Sequence, residues 1–338
     1  MLALWFDLSD EAVGLLISAA FLDYLLGDPW DWPHPVQTMG WVIEGYSKRA
    51  IALSGSPVQM RLLGIGLTML VVGGTALTST MLLALVEQLS PWIRWALEVV
   101  LLASCFAGRS LRKAAENVLQ PLSTQGSNQN DSKAPLIESR TRLAMIVGRD
   151  TNALSAAEIH RAVLETVSEN AIDGVLAPLF YAIVGGLIGA TVPVALAYKA
   201  ASTLDSMVGY KEAPYTYLGW FSARFEDGLT WLPCRLSVLV VALLSGYPTR
   251  VLRLCWRDAR RDPSPNAGWS ECAYAAALGV QLGGPNTYRG KVKIKPLLGD
   301  ATQPISHGII TKGLQITRWS FLLGLGTGIF CIGFQSGL

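Results

Sequence analysis

Three uncharged apolar stretches dominate the pattern of hydrophobic and polar positions along the chain. They cover residues 62–86, 175–198 and 319–338, which are 25, 24 and 20 residues long. A helix needs about 20 apolar residues to cross the hydrocarbon core of a bilayer. Each stretch therefore predicts a transmembrane helix.

Three further apolar stretches are interrupted by ionisable residues, and they lie at residues 12–27, 92–107 and 228–247. The first contains Asp23 and the third contains Arg235, while the second holds Arg94 and Glu98, which can pair on one helix face at a spacing of four. Such residues are costly in lipid and face protein or water. Together the six stretches predict an all-α integral membrane protein, a multi-span helical bundle of about four to six crossings.

Basic residues predict the orientation of this bundle. With six crossings, the loops 28–61, 108–174 and 250–318 share one side and carry 22 of the 27 lysines and arginines. Basic loops favour the cytoplasmic side. The polar, active-site face of the bundle is therefore expected in the cytoplasm, with both termini outside.

A second topology follows from the prolines and glycines inside residues 175–198, among them Pro178, Gly185 and Gly189. This stretch also fits a broken or re-entrant pair of short helices, which is tolerated where irregular backbone lines a polar cavity. If residues 175–198 and 228–247 both fail to cross, everything from 108 to 318 is cytoplasmic. We favour this second topology because it improves the charge bias.

Composition supports a membrane protein and excludes several other classes. The chain is 51% apolar and only 15% charged, whereas soluble proteins carry about 25% charged residues. Its net charge of +2 gives no basic field for nucleic acid. The five cysteines show neither disulfide nor zinc spacing, and no basic region precedes the first apolar stretch, so we expect no cleaved signal peptide. We predict a single polytopic domain over residues 1–338, in which residues 120–135 form a polar, disordered linker.

The first candidate site is the segment DYLLGDPWDWPHPVQTMG, residues 23–40. Prolines on both sides of His34 favour a rigid, extended loop. The tryptophans of this loop suit a position at the headgroups, but anchoring does not explain why Asp28, Asp31 and His34 share one rigid turn.

The second candidate site is a charged helix that leads into an apolar segment. Ser155 and Glu158 form a capping box that predicts its start. Four charged residues then recur every four positions and form one stripe: Arg161, Glu165, Glu169 and Asp173. A solvated helix face is the alternative interpretation, but stacked carboxylates need a neutralising cation. Because oxygen ligands suit magnesium, the stripe predicts a metal site, and Asn170 adjoins it.

Two loops supply further polar candidates. Residues 198–235 place Lys199, Asp205 and Lys211 among aromatic side chains, a composition that suits phosphate and metal binding. The segment GGPNTYRG, residues 283–290, contains Asn286 and precedes three alternating lysines that could also contact anionic headgroups. Its glycines allow close approach of a ligand, but the GxxxxGK[ST] pattern of a P-loop is absent.

Five blocks occur in the order of one known family. They are GDP…HP, VGRDT, ETVSENAIDGVLAPLFYA, TLDSMVGYK and LGGPNTYRG…KPLLGD, spread from about residue 20 to the C-terminus. In this order they resemble the CbiB/CobD membrane enzymes, the adenosylcobinamide-phosphate synthases. The polar linker and the residues between blocks depart from the family pattern without touching a block.

The resemblance implies an ATP-dependent amide ligation with magnesium as cofactor. The family joins (R)-1-amino-2-propanol, or its phosphate, to a propionate carboxylate of adenosylcobyric acid. On this sequence the implied catalytic residues are Glu165, Glu169, Asn170, Asp28 and His34. The implied substrate and ATP contacts are Arg149, Asp150, Lys211 and Asn286, and we add Lys199 as a hypothetical phosphate contact because of its positive charge. The implied magnesium ligands are Glu165, Glu169, Asp173 and Asp205.

The resemblance also implies a multi-pass protein of the inner cell membrane, in contact with lipid and associated with other membrane enzymes of cobalamin assembly. Two other classes of function remain open. Broken helices with ionisable residues suit a transporter of a corrin or a small amine, although here the polar residues gather in loops. A non-catalytic scaffold for corrin enzymes is the third interpretation, which the excess of carboxylates on one helix face argues against.

Overall fold

The structure is a computed structural model that describes residues 2–27, 34–53, 55–123 and 134–335. Asp28 and the middle of the predicted linker, residues 124–133, lie outside these ranges, whereas residues 120–123 and 134–135 belong to helices. The helices are α1 Leu2–Leu25, α2 Pro35–Leu53, α3 Pro57–Thr68, α4 Gly74–Glu87, α5 Pro91–Ala103, α6 Gly108–Ser123, α7 Ala134–Leu143, α8 Ala156–Asn170, α9 Ala177–Leu187, α10 Thr191–Val208, α11 Trp220–Leu244, α12 Pro248–Asp258, α13 Ala267–Leu278 and α14 His307–Gln335. Two strands, β1 Leu282–Tyr288 and β2 Lys291–Leu298, complete the fold.

Five helical segments among the described residues are long and apolar enough to cross a membrane. They are Pro57–Glu87, Pro91–Ser123, Ala156–Leu187, Trp220–Leu244 and His307–Gln335. The first of them contains α3 and α4 joined by the π-helical turn Met69–Gly73. On α4 the side chains of Leu77, Met81 and Leu85 are exposed at a spacing of four residues, which is the pattern of one lipid-facing stripe. The prediction of a multi-span helical membrane protein is confirmed.

The stretch 175–198 is not one continuous helix. It divides at Gly189, whose φ of 71° is left-handed, into α9 and α10, which pack against each other. The break in the helix is therefore confirmed. Ala156–Leu187 and Trp220–Leu244 are both long and apolar enough to cross, so the favoured topology, in which residues 175–198 and 228–247 do not cross, stays a prediction. Upstream, α9 continues α8 through the π-helical turn Ala171–Leu176, so the apolar segment that can cross begins within the charged helix.

The described chain groups into two compact units. The first contains residues 1–109, 173–230 and 323–338, and the second contains residues 110–172 and 231–322. In the first unit α10 is the central helix, because it packs against α2, α4, α5 and α9. Its small side chains Ala195, Ala200 and Ala201 are fully buried, which lets neighbouring helices approach closely.

In the second unit α13 is the central helix. It packs against α8, α12 and both strands, and Cys272, Ala273 and Ala275 are buried along it. The helix ends at Gly279, whose φ of 66° fits a left-handed C-cap. The capping box of Ser155 and Glu158 is present at the start of α8 as the sequence predicts.

The two strands form an antiparallel hairpin that the all-helical prediction did not include. Gly284 pairs with Lys295 and Asn286 pairs with Lys293, with a bulge near Leu282. The connecting residues Arg289 and Gly290 both have positive φ, at 50° and 75°. Two successive left-handed residues are the geometry of a tight two-residue hairpin turn. The hairpin matters for function because one of its faces lies over α8 and α13.

Candidate active site

Glu165 of α8 is the centre of a buried ionic network in the second unit. Its carboxylate forms an ion pair with Arg149 and a second one with Arg161 at 3.5 Å. The backbone N–H of Gly283 also donates to Glu165 Oε1 at 2.9 Å. The side chain of Glu165 is 2% exposed and that of Arg149 is 7% exposed. Such a carboxylate is fixed by its partners, because removing any of them would leave a buried charge.

The same arginines hold β1 against α8. Arg161 donates to the carbonyl of Gly283 and to that of Pro285, the latter at 2.9 Å. Asn286 Oδ1 accepts from Arg149 Nη1 at 2.8 Å and from Arg161 Nη2 at 3.1 Å. Asn286 Nδ2 is buried without a hydrogen-bond partner among the described residues. The predicted contacts Arg149 and Asn286 therefore belong to one network with Glu165, and Asn286 keeps one donor free.

Asp150 lies at the hairpin turn. Its two carboxylate oxygens accept the N–H groups of Arg289 and Gly290 at 3.0 and 2.8 Å, and its own N–H donates to the carbonyl of Thr287 at 2.8 Å. Both left-handed residues of the turn thus rely on one carboxylate. The sequence predicts Asp150 as a substrate contact, and the structure places it as the anchor of the turn.

We expect Asp150→Ala to loosen the hairpin, because two backbone donors lose a charged acceptor. Hydrogen bonds to a charged group contribute about 1.5–3 kcal/mol. Limited proteolysis should then cut near Arg289 at least about tenfold faster than in the wild-type protein. The matched control is Asp300→Ala, which removes an exposed carboxylate paired with Arg257. Equal cleavage rates in the two variants would contradict the anchoring role.

Glu271 of α13 and Lys295 of β2 form the second ion pair of the site, at 2.9 Å. Glu271 is fully buried, and its Oε2 has no hydrogen-bond partner among the described residues. Burial raises the pKa of Glu271 above its ordinary value, with Lys295 opposing the shift and Glu169 and Glu165 adding to it. Burial alone would lower the pKa of Lys295, but the carboxylates of Glu271, Glu169 and Glu165 raise it above its ordinary value. Lys295 is therefore held in its charged form.

Glu169 and Asn170 end α8 with exposed side chains. Asn170 Nδ2 donates to the carbonyl of Thr166 at 2.9 Å, a bond within the helix. Glu169 lies within electrostatic range of Lys295, Glu165 and Arg149. Of the α8 carboxylates predicted to act, Glu169 is the exposed one and Glu165 is the buried one.

The charge balance of the network differs from that of the stripe predicted on α8. The stripe has three carboxylates and one arginine, whereas the network brings three cations, Arg149, Arg161 and Lys295, to Glu165, Glu169 and Glu271, with Asp262 also acting on Glu169. Arg149 precedes the helix and Lys295 follows it by more than a hundred residues. Only the tertiary fold brings these cations to α8, so the fold reduces the excess of negative charge that the sequence showed there.

The other predicted residues lie in the first unit. Asp173 belongs to the π-helical turn after α8, and Asp205 and Lys199 are half-buried on α10. Lys199 Nζ donates to the carbonyl of Cys105 at 3.3 Å, and Lys211 is exposed after α10. The proposed quartet of magnesium ligands is thus divided, with Glu165 and Glu169 in one unit and Asp173 and Asp205 in the other.

His34 lies in the first unit at the start of α2. Its Nδ1 accepts the N–H of Val36 at 3.2 Å. This contact caps the first turn of the helix, which begins at Pro35 as expected for a proline at the first helical position. Its predicted partner in acid–base work, Asp28, lies outside the described residues, so the paired role stays a prediction.

A hydroxyl relay in the first unit was not anticipated from the sequence. Thr230 donates to Glu226, so the Tyr198 hydroxyl donates to Thr230 Oγ1, at 2.9 Å. The Tyr198 ring stacks on Tyr181 with centroids 4.8 Å apart. Glu226 is in turn within electrostatic range of Asp205. The sequence signal for this relay was Glu226, a carboxylate within the largely apolar helix α11.

No group of three or more His, Cys, Asp and Glu side chains in the described ranges is arranged to hold a metal ion. Magnesium needs one or two carboxylates when phosphate oxygens and water complete its shell. Glu165 has both oxygens engaged by N–H donors, whereas Glu169 is exposed. Glu169 is therefore the α8 carboxylate that fits a magnesium ion carried with a phosphate group.

Gly283 is required where the hairpin meets the network. Its φ is 85°, and a Cβ atom there would lie 2.0 Å from the carbonyl oxygen of Pro296. We expect Gly283→Ala to separate the strands and to release Glu165 Oε1 from its backbone donor. The clash is with backbone atoms, which cannot rotate away as a flexible side chain can. Faster proteolysis between residues 282 and 298 would report this loss.

The matched control for Gly283→Ala is Gly290→Ala. Gly290 also has a positive φ, of 75°, but no atom of the described residues would lie within 4 Å of a Cβ atom at this position. Its substitution should cost only the left-handed strain of about 1–2 kcal/mol. If both variants resist proteolysis equally, the close approach at Gly283 is not what fixes the hairpin.

Fold and site together define a class of protein. The chain is a multi-pass helical membrane protein whose second unit carries a buried acid–base network covered by a β-hairpin. The family model of the CobD/Cbib proteins matches residues 16–317. This chain therefore belongs to that family.

Relatives with curated names agree along nearly the whole chain. The cobalamin biosynthesis protein CobD of Synechocystis sp. is 49% identical, covering 93% of this chain and 91% of the relative. The cobalamin biosynthesis protein CbiB of Salmonella arizonae is 42% identical, with coverage of 94% and 96%. The CobD protein of Citrobacter koseri is 40% identical, with coverage of 88% and 90%. No solved structure matches the chain.

Proposed function

We propose that this protein is an acid–amine ligase that joins (R)-1-amino-2-propanol, or its phosphate, to a propionate carboxylate of adenosylcobyric acid with consumption of ATP. Membership in a family whose relatives are named for cobalamin biosynthesis supports the pathway. The observation that carries the chemistry is the network of Arg149, Arg161 and Lys295 with buried and exposed carboxylates beneath the glycine-containing hairpin.

The reaction requires activation of the acid. A carboxylate is a poor acyl donor, so one of its oxygens first attacks the γ-phosphorus of ATP, and ADP leaves with the electrons of the broken P–O bond. The amine nitrogen then attacks the acyl carbon of this acyl phosphate. The nitrogen loses a proton to a general base, the C–O bond to phosphate breaks, and the phosphate departs with the electrons of that bond, leaving the amide.

Cations must neutralise the phosphoryl group during this transfer. Arg149 and Arg161 are engaged with Glu165, Asn286 and strand carbonyls, so their role is to fix the hairpin over α8. Glu169 would hold a magnesium ion brought in with the phosphate oxygens, and the ion would supply further charge neutralisation. Lys199 and Lys211 remain proposed phosphate contacts, and Asp28 and His34 remain proposed acceptors for the proton of the amine.

Transport is the second candidate function, and one observation favours it. The break between α9 and α10 at Gly189 gives the first unit a pair of short helices, as discontinuous helices do in transporters. The acid–base network lies on α8, α13 and the hairpin, however, and not on this pair of short helices. We therefore rank transport second.

Ligation by detergent-purified protein tests the proposal. The protein receives adenosylcobyric acid, ATP and magnesium with either form of the amine, and mass spectrometry follows the corrin. A corrin heavier by the amine less water, with one ATP hydrolysed per amide, supports the ligase. An unchanged corrin from folded protein, together with ATP-independent uptake of corrin or amine by proteoliposomes, supports the transporter instead. An unchanged corrin together with no uptake would support the third interpretation, a non-catalytic scaffold for corrin enzymes.

A further inference from the structure

The three alternating lysines of β2 differ in their surroundings although the sequence presents them as one basic run. Lys291 and Lys293 have exposed side chains, and Lys293 lies over the ring of Tyr288 at 5.5 Å. Lys295 is half-buried and forms its ion pair with Glu271. Contact with anionic headgroups, which suits exposed lysines, therefore does not describe Lys295.

The register of the hairpin puts Lys295 on the face that covers the ionic network. Lys295 pairs with Gly284 and Lys293 pairs with Asn286, and paired residues point to the same face of an antiparallel ladder. A Cβ atom at Gly284 would lie 3.6 Å from Arg161 Nη1 and 3.7 Å from Leu297 Cδ2. The backbone opposite Lys295 therefore lies directly against the arginine side of the network.

A hydrogen-bond donor beside this position lacks an acceptor. Asn286 is 4% exposed, its Oδ1 is shared by two arginines, and its Nδ2 has no partner among the described residues. Asn286 and Lys295 are diagonal neighbours across the ladder, within reach of one bound group. A buried unmet donor costs free energy unless a ligand or water supplies an oxygen. One ammonium and one amide N–H on the same face suit an anionic oxygen ligand.

We propose that Lys295, with Asn286 Nδ2, binds a phosphoryl group of the substrates, and that Glu271 positions Lys295 for this contact. The inference rests on the proposed ligase function for its substrates. Lys295 is the binding residue because its side chain is 29% exposed, whereas Glu271 is fully buried and acts through the lysine. The raised pKa of Lys295 supports the assignment, since it keeps the ammonium charged.

Two sources offer a phosphoryl group, namely ATP and the phosphate of aminopropanol phosphate. Lys295→Met separates them in the ligation assay. If the group belongs to ATP, the KM for ATP rises about 10- to 100-fold with either amine, as expected for a lost charge-assisted hydrogen bond. If it belongs to the amine, the KM for ATP stays unchanged and the preference for aminopropanol phosphate over aminopropanol falls by that factor.

The matched control is Lys291→Met on the same strand, which removes an exposed lysine and should leave every constant within about twofold. Lys295→Arg should recover part of the lost affinity, because it keeps the positive charge. Glu271→Gln should raise the same KM as Lys295→Met while kcat changes less, and Glu271→Asp should recover part of the effect. A purely structural role of Glu271 would instead lower the amount of folded protein without this selective change in KM.

Direct binding keeps the inference separate from the proposed function. Quenching of tryptophan fluorescence by ATP and by aminopropanol phosphate, titrated separately, measures affinity without turnover. Wild-type protein that binds one of them in a Lys295-dependent way but makes no amide would uphold the phosphoryl site and overturn the ligase. Wild-type protein that makes the amide while Lys295→Met matches Lys291→Met in all constants would overturn the phosphoryl site and leave the ligase standing.

Discussion

Glu165→Ala is expected to destabilise the protein by about 3–5 kcal/mol, the cost of removing one partner from a buried ionic network. The substitution leaves Arg149 and Arg161 without their shared carboxylate and removes the acceptor of the Gly283 N–H. The melting temperature in detergent should fall by on the order of 10 °C. Ligation should be lost because the hairpin loses its attachment to α8.

Glu138→Ala provides the control for this effect. Glu138 also pairs with an arginine four residues away, Arg142, but its side chain is 54% exposed. Exposed pairs of this kind contribute about 0.3–0.5 kcal/mol, so the melting temperature should change by about 1 °C. A Glu165→Ala protein as stable as Glu138→Ala would contradict the central place of Glu165 in the network.

Glu169 lies one helical turn further along α8. We expect Glu169→Ala to leave stability almost unchanged and to remove most of the ligation activity. Its side chain is exposed, so we expect membrane insertion and melting temperature to change little, within about 0.5 kcal/mol. Ligation should fall at least about a hundredfold if the carboxylate holds magnesium at the transferring phosphoryl group, the scale of losing one electrostatic contact to a transition state.

The control for Glu169→Ala is Glu116→Ala, which removes an exposed carboxylate of α6 paired with Arg112. It should retain full ligation and full insertion. Glu169→Ala with full ligation activity would rule out Glu169 as the magnesium ligand. Loss of both stability and ligation in that variant would show that Glu169 supports the fold, and the distinction drawn between the two glutamates would be wrong.

Much of the helical architecture could be predicted from local pattern. Charge-free runs of sufficient length located the helices that contain residues 62–86 and 319–335, and the capping box located the start of α8. The break near Gly189 was also visible, because glycines and prolines cluster there. These features depend on residues that are close in sequence, so one amino-acid sequence is enough to predict them.

The hairpin was less accessible to this reasoning. The pair Arg289 and Gly290 carries only a weak turn signal, since one residue is not a usual left-handed former, and Asp150 stabilises it from 139 residues away. Lys291, Lys293 and Lys295 alternate as a strand does, but a run of lysines also fits a headgroup contact. The strand assignment depends on a long-range partner that local pattern cannot supply.

The site was predicted in part. Arg149, Asp150, Glu165, Glu169 and Asn286 were all identified, and the structure brings them to the second unit. Their ion-pair partners could not be predicted where the partner comes from a distant element, as Arg149 and Lys295 do. A lone carboxylate in the apolar helix α13, Glu271, was the signal that sequence reasoning passed over.

The most direct test of the account uses adenosylcobyric acid with both oxygens of the reacting propionate labelled with oxygen-18. Purified protein converts it in the presence of ATP, magnesium and the amine, and mass spectrometry follows the label in corrin and phosphate. The account predicts an amide that retains one labelled oxygen and inorganic phosphate that carries the other. A corrin that returns with both labels, or an amide formed with no label in phosphate, would contradict ligation through an acyl phosphate.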